Sequence, residues 1–158
     1  MVLWWVERVI PPLVTPIRRL EGVTYWVIEN TDAIHDFINT EVRKEWEADA
    51  RSEHREPRDD PWLTNLARRK WRLEIMEISR IKLDPEIMSY VDPERGYVFL
   101  KSLEKRSADL SHNIAAGAVV LPPLIVRNED TRLLDGYCRY AALKGMKVSK
   151  TYTYVDSP

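Results

Sequence analysis

The sequence predicts an α+β protein, and three observations point there. The chain has 158 residues, 44% of them apolar and 31% charged, the balance of a globular protein with a core to bury. Its second half alternates short β-rich runs with helical runs. Four of its 5 glycines (Gly96, Gly117, Gly136 and Gly145) lie after residue 90, so tight backbone corners are concentrated there. The expected organisation is an N-terminal α/β extension over residues 1–72, packed on a C-terminal domain over residues 73–158.

In the extension, Val2 to Ile10 is rich in Trp, Val and Ile, and Pro11-Pro12 stops it, which reads as a strand. Val23 to Ile28 is a second strand, led by Glu21-Gly22. Asn30 or Thr31 then caps a helix. Ile34, Phe37, Ile38, Val42 and Trp46 follow at helical spacing. Glu41 to Arg58 is densely charged with mixed signs, as in a solvated helix running into a loop. Asp59-Asp60-Pro61 marks a new helix start, and Trp62 to Trp71 would be that helix.

In the second half, Leu73 to Ile81 is the first strand. Leu73 and Ile75 share one face, Met76 and Ile78 the other, and a bulge near Ile75 and Met76 would reconcile them. Leu83-Asp84-Pro85-Glu86 ends it as a turn. Leu100 to Ile114 is a helix with Leu103, Leu110 and Ile114 on one side, closing at Ala115 to Ala118. Pro122-Pro123 leads into the buried strand Leu124 to Arg127. Asn128 to Asp130 turns into a strand at Arg132 to Leu134. Asp135-Gly136 makes a sharp corner, Tyr137 to Lys144 is a helix stopped by Gly145, and Val148 to Val155 is the last strand.

Three stretches carry a resemblance. They are Ser111-x-x-Ile114-x-x-Gly117, then Pro123-Leu124-Ile125-Val126-Arg127, then Leu134-Asp135-Gly136-Tyr137-Cys138-Arg139-Tyr140-Ala141-Ala142. In that order of elements, residues 73–155 resemble the ParB/sulfiredoxin-like superfamily. The resemblance implies a small mixed sheet with packed helices, used to handle nucleotides or phosphates. The superfamily includes CTP-binding segregation proteins, sulfiredoxin, a proposed nuclease group and small-molecule kinases such as the free-serine kinase. The fold does not choose among them, so the residues must.

The main candidate site is Gly136, Tyr137, Cys138 and Arg139, as cofactor-binding residues. Gly136 permits a close approach, the next backbone N–H groups open a helix where anions bind, and Arg139 adds a two-pronged grip on phosphate. A plain strand-to-helix turn with Arg139 in a surface ion pair is the competing reading. Asp135 suits a divalent-cation ligand or a group orienting a substrate hydroxyl, and equally a helix cap. Resemblance to the free-serine kinases implies that Glu86 is the general base, with Asp84 as the alternative carboxylate. An exposed turn glutamate is the plainer reading. Sulfiredoxins carry Gly-Cys-His-Arg here, whereas this chain has Gly136-Tyr137-Cys138-Arg139. The displaced Cys138 reads as a small buried helix residue.

Three function classes compete. The first is a nucleotide-dependent phosphotransferase acting on a small hydroxylated metabolite, with ATP or ADP and Mg2+ as cofactors and Glu86 and Asp135 as its catalytic pair. The alternative is a DNA-binding or nuclease ParB-like module, and the third class is a nucleotide sensor without chemistry. Net charge is −1, with 13 basic against 12 acidic residues over 71–158 and 11 against 13 over 1–70. That balance disfavours DNA as a partner, and Arg18-Arg19 and Arg68-Arg69-Lys70 read as solvated surface. The chain ends at Pro158, where a segregation protein would continue into a helix-turn-helix and a dimer domain. His35, His54 and His112 lack zinc-ligand spacing. The tryptophans read as core joining the extension to the domain, with base stacking as the minor reading. One cysteine excludes an internal disulfide, the longest nearly apolar run is 12 residues, and no signal-peptide cleavage pattern is present. A cytoplasmic protein with a nucleotide and a small molecule as ligands is the expectation.

Overall fold

In the computed structural model, residues 15–53, 56, 63 and 65–157 are described. The strand expected over Val2 to Ile10, the helix start at Asp59-Asp60-Pro61, and Trp62 lie outside them.

The N-terminal part opens with a hairpin, β1 (Ile17–Leu20) and β2 (Val23–Trp26), turned at Glu21-Gly22. Asn30 caps the helix that follows, its side chain accepting from the Ala33 N–H at 3.0 Å. That helix runs as α1 (Thr31–Phe37), a π-helical stretch (Ile38–Val42) and α2 (Arg43–Ser52). Ile34, Phe37, Ile38 and Val42 are buried along it, as their spacing predicts.

The sheet has four strands in the order β3 (Lys70–Glu77), β8 (Lys150–Ser157), β6 (Leu124–Arg127), β7 (Arg132–Asp135). β8 is antiparallel to β3 and parallel to β6, and β7 is antiparallel to β6, so the sheet is mixed. Between β3 and β6 come α3 (Pro85–Met88), a small hairpin of β4 (Val91–Asp92) and β5 (Tyr97–Val98), and α4 (Phe99–Ala115). Helix α5 (Tyr137–Gly145) joins β7 to β8.

Alternation along the strands sends side chains to two cores. Leu124, Val126, Leu133, Val155 and Met76 pack on one face with Leu103, Leu110 and Ile114 of α4 and Tyr140 and Leu143 of α5. Ile125, Tyr154 and Trp71 pack on the other with Ile34, Phe37 and Ile38. The protein is therefore an α+β structure with helices on both sides of a small mixed sheet.

Three expectations change. β3 pairs with β8 in unbroken register from Lys70 to Glu77, with no bulge at Ile75 and Met76. Trp71 is buried under α1 at one end of β3, and Met76 is buried on the opposite face at the other end, which gives the broken alternation. The register shift falls instead between Ile125 and Val126, where β6 meets β7. The helix expected to reach Trp71 ends earlier, because Lys70 and Trp71 already belong to β3. Gly145 is the last residue of α5, and the left-handed turn is made by Lys147 at φ 61°.

The N-terminal hairpin is bound to the sheet through polar contacts as well as core. Trp26 N–H donates to the Leu121 carbonyl at 3.0 Å and Leu121 N–H to the Thr24 carbonyl at 2.9 Å. Tyr154 O–H accepts from Ile28 N–H at 2.9 Å. Glu21 accepts from the N–H groups of Ser149 at 2.9 Å and Lys150 at 2.8 Å, and from the Ser149 hydroxyl. These bonds, the Ser149 hydroxyl foremost, hold the Glu21 carboxyl below its usual range. A depressed carboxylate contributes stability above its unfolded pKa and loses it as pH falls through the folded value. Glu21→Gln is therefore expected to lower the urea midpoint near neutral pH, and the gap should shrink below about pH 4. An unchanged gap from pH 7 to pH 3 would remove Glu21 from this role.

Candidate functional site

The corner predicted from Asp135-Gly136 is present. β7 delivers Asp135, and Gly136 turns the chain into α5 at φ 105° and ψ 33°, a conformation that favours glycine. Space is a second reason for glycine. A Cβ there would lie 2.6 Å from Leu124 Cδ2, 2.8 Å from Arg139 Nη2 and 3.1 Å from Arg139 Cζ. The first bond of the helix is Tyr140 N–H to the Gly136 carbonyl at 2.8 Å.

Arg139 is turned inward and is 1% exposed. Its Nη2 donates to Asp135 Oδ2 and to the Pro123 carbonyl, both at 3.3 Å. The other oxygen of Asp135, Oδ1, accepts from the Trp46 indole N–H at 3.4 Å. The N-terminal helix thus reaches the corner through Trp46. Both Asp135 oxygens face N–H donors, one of them a guanidinium. A cation on Asp135 would share these oxygens with the Trp46 and Arg139 donors.

Tyr137 is buried, and its O–H donates to the Leu133 carbonyl at 3.2 Å while accepting from Asp84 N–H at 3.0 Å. Burial pushes its phenol up to about 12. Through this contact the start of α3 is tied to the corner. Asp84 caps α3, accepting from Glu86 N–H at 2.9 Å, and lies 3.8 Å from Arg132. Glu86 itself is exposed, and its side chain makes no hydrogen bond or ion pair with a described residue. Cys138 is buried in α5. The structure thus brings Asp135, Gly136, Tyr137 and Arg139 together with Asp84 and Trp46, and leaves the Glu86 carboxylate in solvent.

A different feature occupies the opposite end of β6. There a cleft of about 390 Å³ is lined by Asn65, Arg68, Arg69, Asn128, Glu129 and Asp156. Asp156, 1% exposed, accepts from Arg69 Nη1 at 2.7 Å and from Asn128 N–H at 2.8 Å. Arg72 Nη2 donates to Asn128 Oδ1 at 3.4 Å. Arg68 and Lys70 are exposed and carry no ion pair to a described residue. Residues 65–72, Asn-Leu-Ala-Arg-Arg-Lys-Trp-Arg, hold four cations and no acid. The basic run is visible in the sequence, but its concave shape is not, because the β6–β7 turn that walls it lies some sixty residues away.

No protein-family model matches the chain, and no curated protein matches it. Among solved structures, two forms of a pNOB8-like ParB N-domain are similar to it. The C2221 form is 19% identical with a TM-score of 0.40, covering 56% of this chain and 30% of that one. The other is 22% identical with a TM-score of 0.34, covering 54% and 27%. The alignment spans less than a third of either structure. Among the described residues no helix is long and apolar enough to cross a membrane.

Proposed function

We propose that the chain is a DNA-binding module of the ParB-like kind that its 134–142 motif resembles, and not a phosphotransferase. The observation that carries this is the placement of the exposed cations. In a protein of net charge −1, the acid-free run 65–72 gathers four cations at one end of the sheet, three of them exposed, while Arg69 is half-buried on Asp156 and Arg72 pairs with Glu74. Arg68 and Lys70 there are exposed and pair with no described carboxylate. Neutralising phosphates releases counterions, so such a strip attracts nucleic acid even when the whole protein is near neutral.

The phosphotransferase reading needs a carboxylate base and a cation ligand at one substrate. Glu86 lies in solvent and Asp135 is engaged by Trp46 and Arg139. Arg139, which a phosphate would require at the corner, is buried against Pro123 and Asp135.

The test is fluorescence anisotropy with labelled DNA across a salt series. Wild type should bind at physiological salt with a Kd of about 10⁻⁴ to 10⁻⁶ M, weakening as salt rises. Arg68→Glu combined with Lys70→Glu should abolish the salt-dependent part. Binding that ignores this double variant would count against the proposal. So would phosphorylation of a hydroxylated metabolite by the wild type with ATP and Mg2+.

A further inference from the structure

The geometry points to the cleft beside the basic run as a subsite for one unpaired nucleotide of a single-stranded nucleic acid, its phosphate held between Arg68 and Arg69. This rests on the DNA-binding reading and adds which form of nucleic acid is preferred and where it is held.

Size comes first. A cleft of about 390 Å³ lies in the range of pockets that enclose a small ligand. It admits a nucleotide splayed from its neighbours. A duplex keeps its bases paired and its phosphates on a stiff convex surface, so it offers this concave cleft less contact than a splayed nucleotide does. Polar and charged residues line it, with Asn65, Arg68, Arg69 and Asn128 supplying donor groups at walls built largely from their apolar stems. These residue types donate to phosphate and sugar oxygens.

Rigidity comes second. Asp156 is a buried carboxylate that binds both walls at once, Arg69 on one side and the Asn128 main chain on the other. Arg72 steadies Asn128 from outside. The Arg69 guanidinium is therefore placed before any ligand arrives, which lowers the ordering cost of binding. Asp156 acts here as a positioning residue.

Charge comes third. Glu129 stands on the rim, with its side chain 67% exposed and 3.4 Å from Arg127. It disfavours a second phosphate close to the first. Arg68 is the exposed cation that faces the cleft without a carboxylate partner among the described residues.

The test compares a labelled single-stranded 10-mer with a hairpin duplex of the same sequence, titrated against the full chain. Variants are Arg68→Ala and Asn128→Ala, both at exposed positions, with thermal melts to show that each folds. Arg68→Ala should weaken single-strand binding by about ten- to a hundredfold and lower the salt slope by about 0.7. Duplex binding should change much less. Asp156→Asn should weaken single-strand binding while leaving the salt slope near wild type, a pattern that general loss of charge does not produce. Equal losses for single strand and duplex, or no loss in Arg68→Ala, would overturn the subsite while leaving the DNA-binding reading intact. Failure of wild type to bind either probe would overturn both.

Discussion

Gly136→Ala is expected to destabilise the protein by about 2–6 kcal/mol. Two costs add. A residue with a Cβ held at φ 105° carries backbone strain of about 1–3 kcal/mol. The new methyl also meets Leu124 Cδ2 at 2.6 Å and the Arg139 guanidinium at 2.8 Å, and overpacking of that kind costs about 1–3 kcal/mol. At about 2–4 °C per kcal/mol for a chain of this size, the melting midpoint should fall by about 4–24 °C. Gly22, where a Cβ would meet nothing within 4 Å, is the control. Gly22→Ala has backbone strain at φ 82° but no clash, and should cost less. Calorimetry showing equal losses at the two positions would mean that Arg139 and Leu124 do not fill the space over Gly136.

Arg139→Ala has the second large effect, on stability rather than on a ligand. The side chain is 1% exposed, and its Nη2 spans Asp135 and the Pro123 carbonyl. Removing one partner of a buried ion pair costs about 3–5 kcal/mol. Arg139→Lys should recover only part of this, because an ammonium is more strongly hydrated than a guanidinium and costs more to bury. If Arg139→Ala melts within 2–3 °C of wild type, roughly the shift of 1 kcal/mol, Arg139 does not brace the corner.

Much of the second half is legible in the sequence because its signals are local. Leu103, Leu110 and Ile114 recur at helical spacing and are buried on α4. Pro122-Pro123 stops the chain before β6, and Asp135-Gly136 makes the corner that the glycine conformation requires. What the sequence hides is set by distant partners. Trp46 is an apolar-face helix residue by periodicity, and only the packing of α2 against the end of β7 turns its indole N–H to Asp135. Arg139 reads as a surface phosphate ligand, because nothing local says that Pro123 and Leu124 close over it. The hairpin of β4 and β5 rests on two residues per strand, too few for an alternation pattern. β1 is exposed at three of its four residues, so it carries no alternation to read, and it becomes a strand by pairing with β2.

The most direct test of the DNA-binding reading is a ¹⁵N-labelled titration read residue by residue. Single-stranded DNA should shift the amides of residues 65–72 and of Asn128 and Glu129, together with the Arg68 and Arg69 side chains. The amides of Tyr137, Cys138 and Arg139 should stay near their free positions, both with DNA and with ATP and Mg2+. Shifts confined to residues 136–139, or caused by ATP with Mg2+ and not by DNA, would contradict it and return the ligand to the Gly136 corner.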